Sequence, residues 1–393
     1  MNLYEFEGKN LFQKYKIPVP TGRMITEETK DITWEQFPCV VKAQVQSGKR
    51  GKNGGILFAK NKQELEQHIQ TLLGKKICND EVWYLLIEEK IPLKQEYYLS
   101  ITYNTQKRVP TLLFATAGGM GIEEENAVLS LDINPLRILE SFRVRALLKQ
   151  AGVKGKDLLM IEDIAKRLFR IFEQEDARLV EINPLAKTED GRFMALDAKI
   201  ALDEDAGFRH DWKNFPERTT LGRRLTERER AVRNIDQGEF YYRGTAGKYI
   251  EIDGDIACLF SGGGASISMM DTLYALGQKP SNYTEYSGNP PREKVQALTN
   301  IVLSKPGLKG IWVVGGVANF THIGETMAGI ADALRVLKPK VPIVIRRAGP
   351  HEDEGKKIME NVAKECHLNL KWFGREISMG KSAKVLVDMI HKL

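Results

Sequence analysis

A chain of 393 residues, 42% hydrophobic and 28% charged, has the usage of a globular protein and exceeds what one core normally organises, so two or three domains are expected. Its net charge of +6 arises from 58 basic and 52 acidic residues interleaved along the chain, which suits small anionic ligands and argues against nucleic acid. Cys39, Cys78, Cys258 and Cys366 form neither a CxxC pair nor a disulfide framework, and no apolar run resembles a membrane span or signal core, so a reduced, cytoplasmic protein is expected.

In chain order, "PCVVKAQV", "GGILFAK", "EVWYLLIEEKI", "EYYLSITYN" and "RVPTLLFATAGG" read as strands with few helices between them, several close enough for antiparallel hairpins. That is an α+β pattern. In "VVKAQVQSGKRGKNGG", Lys42 closes a strand, and the loop behind it holds Gly48, Gly51, Gly54 and Gly55 with the cations Lys49, Arg50 and Lys52. Glycines free backbone N–H groups to face phosphate oxygens and the cations neutralise charge, so the loop is a candidate triphosphate clamp, though not of the Walker A type. A solvated hairpin would share this composition. Glu88 ends one strand and Glu96 opens the next. A carboxylate there could accept ribose hydroxyls, and a solvated strand end would look the same.

"RLVEINPLAKTEDGRFMALDAKIAL" reads as a hairpin whose turn, Glu189-Asp190-Gly191, places Gly in the left-handed position. Symmetry about Asp190 sets Asn183 opposite Asp197 and Glu181 opposite Lys199, on one sheet face. Facing oxygen ligands suit a hard cation such as Mg²⁺ shared with nucleotide phosphates. In an isolated hairpin they would be a surface polar pair, but the apolar flanks predict partial burial here.

Residues 203–248 are dense in charge, then rich in Tyr and Gly, and read as a linker with one helix. The expected division is 1–235, a linker over 236–250, and 251–393. Beyond Asp255, the apolar runs "DIACLFSGGG", "LKGIWVVGG", "VPIVIRRAGP" and "NLKWFG" alternate with amphipathic stretches, the rhythm of a doubly wound parallel sheet of the α/β class. Ligands of such sheets bind at the carboxyl ends of the strands. There lie Gly262, Gly263 and Gly264 before one helix, "GGVANFT" with Asn319 and Thr321 before another, and the pair Arg346 and Arg347. Helix N-termini attract anions, and an arginine fork grips both oxygens of a carboxylate, so an anion site is expected on this edge. His322 and His351 lie near it, with solvated helix starts the plainer account of both. None of the six histidines has metal spacing or a nucleophile partner, so if the chemistry is phosphoryl transfer to a carboxylate, an acceptor has to come from elsewhere.

Together these segments, from "MNLYEFEGKNLFQKYKIPVPTG" through "VVKAQVQSGKRGKNGG" and "EINPL…LDAK" to the last helix, resemble the nucleotide-binding β subunit of succinyl-CoA synthetase and its relatives. The resemblance implies an ATP-grasp domain followed by a flavodoxin-like CoA-ligase domain. It implies that Lys42, Gly48, Lys49, Arg50, Gly51, Lys52, Glu88 and Glu96 contact the nucleotide and that Asn183 and Asp197 bind Mg²⁺. By the same resemblance, Glu181 steadies a phosphohistidine belonging to an α-type partner subunit, and Gly262, Gly263 and Gly264 form the loop that meets it. The partner would also carry most of the coenzyme A site, making a hetero-oligomer with no nucleic-acid or membrane partner.

Where the succinate enzymes read like Gly-Gly-Ile-Val-Arg, this chain has "GGVANFT", and "EYSGNP" and "IRRAGP" go with it. These segments are similar to the citrate-binding ones of the ATP-citrate lyase group, which implies that Gly288, Asn319, Phe320, Thr321 and Arg347 hold citrate. The implied reaction takes ATP and citrate through citryl phosphate to citryl-CoA, with cleavage to acetyl-CoA and oxaloacetate left to a lyase module of the partner. Two alternatives stand beside it. A succinate enzyme of the same fold is disfavoured by "ANFT" and "RRAGP", and a non-catalytic nucleotide-sensing subunit by intact Lys42, Asn183 and Asp197.

Overall fold

The computed structural model describes the chain apart from Lys30, Lys49, Cys78, Asn79, residues 120–127, Arg137, Lys213, Asn214, Glu217, residues 220–222, Phe240 and Leu393. It divides into two units, Met1–Arg224 and Leu225–Leu393.

The first unit opens with α1 (Glu5–Lys14), started by the Tyr4 N–H donating to Glu7 Oε2 at 2.7 Å. Then come β1 (Gly22–Thr26), β2 (Cys39–Ala43), β3 (Ile56–Ala59), α2 (Lys62–Leu72), the short pair β4 (Lys76–Ile77) and β5 (Asp80–Glu81), and β6 (Tyr84–Glu89). The antiparallel order β1-β6-β2-β3 closes over α2 through Ile25, Val41, Leu65, Leu85 and Ile87. A second antiparallel sheet follows from β7 (Leu93–Asn104), β8 (Val109–Ala115), β9 (Leu129–Asp132), β10 (Ala177–Thr188), β11 (Phe193–Ala195) and β12 (Lys199–Leu202), in the order β11-β10-β7-β8-β9 with β12 also on β10. Between β9 and β10 run α3 (Ser141–Gln150) and α4 (Gly155–Gln174). Leu158, Ile161, Ala165, Leu168 and Phe172 recur at three- and four-residue steps and are buried with the sheet's Leu99, Ile101, Val180 and Ile182. Fully burying such a side chain is worth about 1.5–3 kcal/mol, so this stripe, more than helix propensity, holds α4 in place.

The second unit holds α5 (Glu227–Arg233), β13 (Thr245–Glu251), β14 (Ile256–Ser261), α6 (Gly263–Ala275), β15 (Asn282–Ser287), α7 (Arg292–Leu303), β16 (Gly310–Val317), α8 (Ile323–Leu337), β17 (Ile343–Ala348), α9 (Glu352–Glu365), β18 (Leu370–Phe373) and α10 (Met379–Ile390). Strand order is β13-β15-β14-β16-β17-β18, parallel throughout except for the antiparallel edge strand β13. Separate apolar cores lie on its two faces, one with α7, α8 and α9 and the other with α6 and α10, as a doubly wound sheet requires.

In the second unit two strands escaped the sequence reading, as β1, β4, β5 and β9 did in the first. The stretch expected as a linker supplies β13, an edge strand whose exposed positions dilute its apolar signal. Asp236 ties its start down by accepting from Thr245 Oγ1 at 2.6 Å and from the Ala246 and Gly247 N–H groups at 2.9 and 2.7 Å, and by pairing with Lys294 at 3.1 Å. The second is β15, which buries Asn282, Thr284 and Tyr286 instead of aliphatic side chains. Its Asn282 takes the place of a backbone partner, accepting from the Cys258 N–H at 3.1 Å and donating to the Cys258 carbonyl at 2.8 Å.

Candidate functional site

In the first unit the β2 strand is buried along its length and delivers Lys42 into a cluster of six charges. Lys42 Nζ meets Glu5 Oε1 at 2.8 Å, Glu88 Oε2 at 2.7 Å and the Leu196 carbonyl at 2.6 Å. Lys9 Nζ meets Glu5 at 2.7 Å, Glu88 Oε1 at 2.5 Å and the same carbonyl at 2.8 Å. Arg50 reaches in from the glycine loop to Glu5 and, at 3.1 Å, to Asp197 Oδ2. Three cations and three carboxylates thus balance one another.

The charges tune each other accordingly. Burial alone would raise the Glu5 carboxyl, but Arg50, Lys42 and Lys9 hold it well below the usual range. Burial pulls Lys42 down, and Glu5 and Glu88 more than offset it, leaving its ammonium above the usual value. Lys9 goes the other way, because burial outweighs its partners. Asp197 is raised by burial and by the nearby Glu5 charge.

Of the residues expected at the nucleotide, this cluster unites Lys42, Arg50 and Glu88, and with them Asp197, one of the two expected Mg²⁺ ligands. Gly48, Gly51 and Lys52 lie exposed on the turn, and Lys49 falls outside the described residues. Arg50 organises that turn, its carbonyl accepting from the Asn53 and Gly55 N–H groups at 3.1 and 2.8 Å. Glu88 differs from the ribose-acceptor expectation, being 2% exposed with both oxygens on lysines, whereas Glu96 stays half-buried. Glu96 belongs to a second group. A Cβ on Gly119 would lie 3.2 Å from Glu96 Oε2, and the Gly119 backbone bonds the Asn183 side chain, the N–H giving to Oδ1 at 2.7 Å and the carbonyl accepting from Nδ2 at 3.3 Å.

The hairpin has the expected turn, with the Thr188 N–H on the Arg192 carbonyl at 2.9 Å and Gly191 at φ +84°. Glu181 pairs with Lys199 and Leu185 with Ala195, the two pairs that flank Asn183 and Asp197 along the hairpin. Glu181 Oε2 accepts from Tyr98 Oη at 3.1 Å, which in turn accepts from Ser100 Oγ at 2.9 Å. Sequence reasoning missed Glu5 and Lys9. Their signal was two opposite charges one turn apart on α1, in line with Gly8 and Phe12.

In the second unit β17 splits the arginine pair between the two faces of the sheet. Arg346 donates to the carbonyls of Gly315 at 2.8 Å and Ile377 at 3.1 Å, and burial together with Arg347 lowers its pKa. Arg347 lies across Gly315 of β16, where a Cβ would collide with its Nη1. It is 1% exposed, its Nε and Nη2 have no hydrogen-bond partner, and among the described residues it has no ion pair. Its Cζ stands 5.9 Å from the ring centroid of Tyr286, itself fully buried with an unpartnered hydroxyl.

The neighbouring loops are tied together. The Ala318 N–H donates to the Ala348 carbonyl at 2.8 Å, the Ile323 N–H to that of Pro350 at 3.1 Å, and the His322 N–H to Asn289 Oδ1 at 3.0 Å, next to Gly288 at φ +69°. Thr321 is buried, Asn319 and Phe320 exposed. The expectation that α8 begins at an open anion cradle is corrected here. His322 caps it, Nδ1 accepting from the Glu325 N–H at 3.1 Å, and Glu354 lies over the first turn, where a Cβ on Gly324 would be 2.5 Å from the carboxyl carbon. The His322 and His351 rings stack at 3.6 Å and 8°, and a nitrogen of each lies with a Glu354 carboxylate oxygen inside a 4.8 Å span, so histidines without metal spacing in the sequence are brought to a spacing that could admit an ion. By contrast α6 has no side-chain cap. Gly262 stands at φ +94° before it, Gly264 meets open space, and the Glu285 carboxylate lies beside Gly263.

Among the described residues, no helix is long and apolar enough to cross a membrane. Residues 2–187 match the family described as ATP-grasp domain, and residues 223–389 match the one described as ATP citrate lyase citrate-binding. The ADP-forming succinate–CoA ligase β subunit of Methanocaldococcus jannaschii is 33% identical, over 96% of this chain and 99% of its own, and that of Aquifex aeolicus is 33% identical over the whole of both. Among solved structures, ATP citrate lyase from Methanothrix soehngenii in complex with citrate and coenzyme A is similar at a TM-score of 0.80, with 25% identity over 98% of this chain and 99% of that one. The chain therefore belongs to the ATP-grasp ligase family of the succinate–CoA ligase β subunits and ATP-citrate lyases, and its second unit is of the citrate-binding type.

Proposed function

We propose that the chain is the ATP-grasp subunit of an ATP-citrate lyase or citryl-CoA synthetase. Lys42, the Gly48–Lys52 loop and Glu96 serve the nucleotide, and Glu88 does so through Lys42, which it holds in place. The γ-phosphoryl passes to a histidine of an α-type partner, steadied by Glu181 and met by Gly262, Gly263 and Gly264, and then to citrate. The acid is held by Gly288, Asn319, Phe320, Thr321 and Arg347. Citryl phosphate then reacts with coenzyme A, bound mainly by the partner, to give citryl-CoA, and any cleavage to acetyl-CoA and oxaloacetate belongs to a lyase module of that partner in the cytoplasmic hetero-oligomer.

Arg347 carries the reading. A guanidinium cannot shed its proton at physiological pH, and a buried charge without a partner is costly, so the position makes sense if an anion completes it. A carboxylate matches its fork, and the citrate-binding type of the second unit supports citrate as the acid. In the first unit, Asn183 and Asp197 lie between the paired positions Glu181–Lys199 and Leu185–Ala195 and carry oxygen ligands of the kind Mg²⁺ takes, which supports a shared ion. Bound there, Mg²⁺ would supply charge neutralisation at the phosphates, while Lys42 and Arg50 orient them. Succinate is the second reading, favoured by the names of the curated relatives.

Calorimetric titration of the full chain with citrate and, separately, succinate tests both readings, repeated with Asn319→Ala and Arg347→Ala. Citrate binding weakened in both variants, with succinate silent, is the expected result. Succinate binding in place of citrate establishes the second reading, and acid binding indifferent to Arg347→Ala refutes this acid site.

A further inference from the structure

We propose that Tyr286 is a further acid-binding residue, its phenol O–H donating to a carboxylate oxygen of the di- or tricarboxylate that Arg347 grips. The inference rests on the acid-site reading above and adds a residue to it that packing alone does not require.

Tyr286, one residue before the end of β15, lies level with Ser261 of β14 and belongs to the core that includes Leu259, Val295, Val313 and Ile323. A phenylalanine would fill that space equally well. The hydroxyl is therefore the feature that needs a cause, and it has no partner although the residue is fully buried. Other buried polar atoms also stand alone, but here a second one lies beside it. Arg347 presents unpartnered Nε and Nη2 groups 1% exposed, with its Cζ 5.9 Å from the Tyr286 ring centroid.

The chemistry of the pair selects the ligand. A guanidinium has donors only, and a phenol is a donor as long as it keeps its proton. Burial pushes the Tyr286 phenol up and Arg347 opposes that, with burial the stronger, so the proton stays on at neutral pH. Two adjacent unfilled donors call for an acceptor rich in lone pairs. A carboxylate offers about four acceptor sites, enough for the arginine fork on one side and the phenol on another. Gly315 keeps the space between the strands open for the guanidinium, since a Cβ there would strike Arg347 Nη1 and approach Ser261 Cβ at 2.8 Å.

Tyr286→Phe in the full chain tests this, with Arg347→Met in parallel and citrate and succinate as probes. A hydrogen bond to a charged acceptor predicts that Tyr286→Phe weakens citrate roughly 10- to 100-fold. The acid-free melting temperature should hold or rise, because no bond is lost in the free protein, and the citrate-induced tyrosine ultraviolet difference spectrum should lose its Tyr286 component. Wild-type affinity in Tyr286→Phe, or a lowered acid-free melting temperature that marks a structural hydroxyl, overturns the proposal. If Arg347→Met alone loses binding, the acid site stands and Tyr286 is refuted. If neither variant changes binding, or the wild type binds neither acid, the acid-site reading falls as well.

Discussion

In the first unit Lys9, Lys42 and Arg50 share the carboxylates of Glu5, Glu88 and Asp197, while in the second Arg347 is as deeply buried and meets no carboxylate among the described residues. Both places gather positive charge at strand ends, yet only the first is neutral by itself. Its ion pairs hold the fold together as well as presenting cations to a ligand. The second leaves Nε and Nη2 of Arg347 without a partner, so on the proposed reading that arginine serves ligand binding with little return in stability. Burial of a charge is therefore ambiguous until its partners are counted.

The largest effect should separate the two directly. Glu5→Gln removes the carboxylate common to three cations and should cost about 3–5 kcal/mol in urea denaturation at neutral pH. Arg347→Met should leave the acid-free stability unchanged or raise it, and equal losses in the two variants would erase the contrast. Next in size, Gly315→Ala should cost about 1–3 kcal/mol by overpacking against Arg347. The double variant Gly315→Ala with Arg347→Ala should recover part of that loss in thermal melts, because the clash with Arg347 Nη1 is gone while the 2.8 Å approach to Ser261 Cβ remains.

His322→Ala sharpens the comparison by asking whether α8 belongs to the acid site. Loss of the cap should cost about 1 kcal/mol by chemical denaturation while citrate affinity stays at the wild-type value, since Nδ1 already bonds the Glu325 N–H. The smallest effect concerns Asp236, a charge of the second unit that, unlike Arg347, has its partners. Burial raises its carboxyl, but the Thr245 hydroxyl, the Ala246 and Gly247 N–H groups and Lys294 outweigh it and leave the pKa lowered. A folded pKa below the unfolded one gives stability that is present above about pH 4 and lost as the pH falls through the folded value. Acid unfolding of Asp236→Asn should accordingly decline less steeply than that of the wild type.

Much of this was legible in the residues. The alternation beyond Asp255 is the doubly wound sheet, because buried parallel strands need continuous apolar runs and their crossovers need amphipathic helices. Symmetry about Asp190 predicted the pairing of Glu181 with Lys199, since hairpin register follows from turn length. The strands β13 and β15 were hidden because one is half exposed and the other buries polar side chains that bond locally.

The order of residue types along the chain determined the two-unit α/β plan, the glycine loop and the hairpin, all properties of short-range periodicity and turn chemistry. Tertiary structure alone decided which charges are spent. Glu5 and Lys9 lie far from Lys42, Glu88 and Asp197 in sequence, and packing brings them within hydrogen-bond reach. The neighbours Arg346 and Arg347 are indistinguishable by type, and strand alternation turns one to backbone carbonyls and leaves the other beside Tyr286 with two nitrogens that have no hydrogen-bond partner. Partners of that kind depend on distances between strands, which no local pattern encodes.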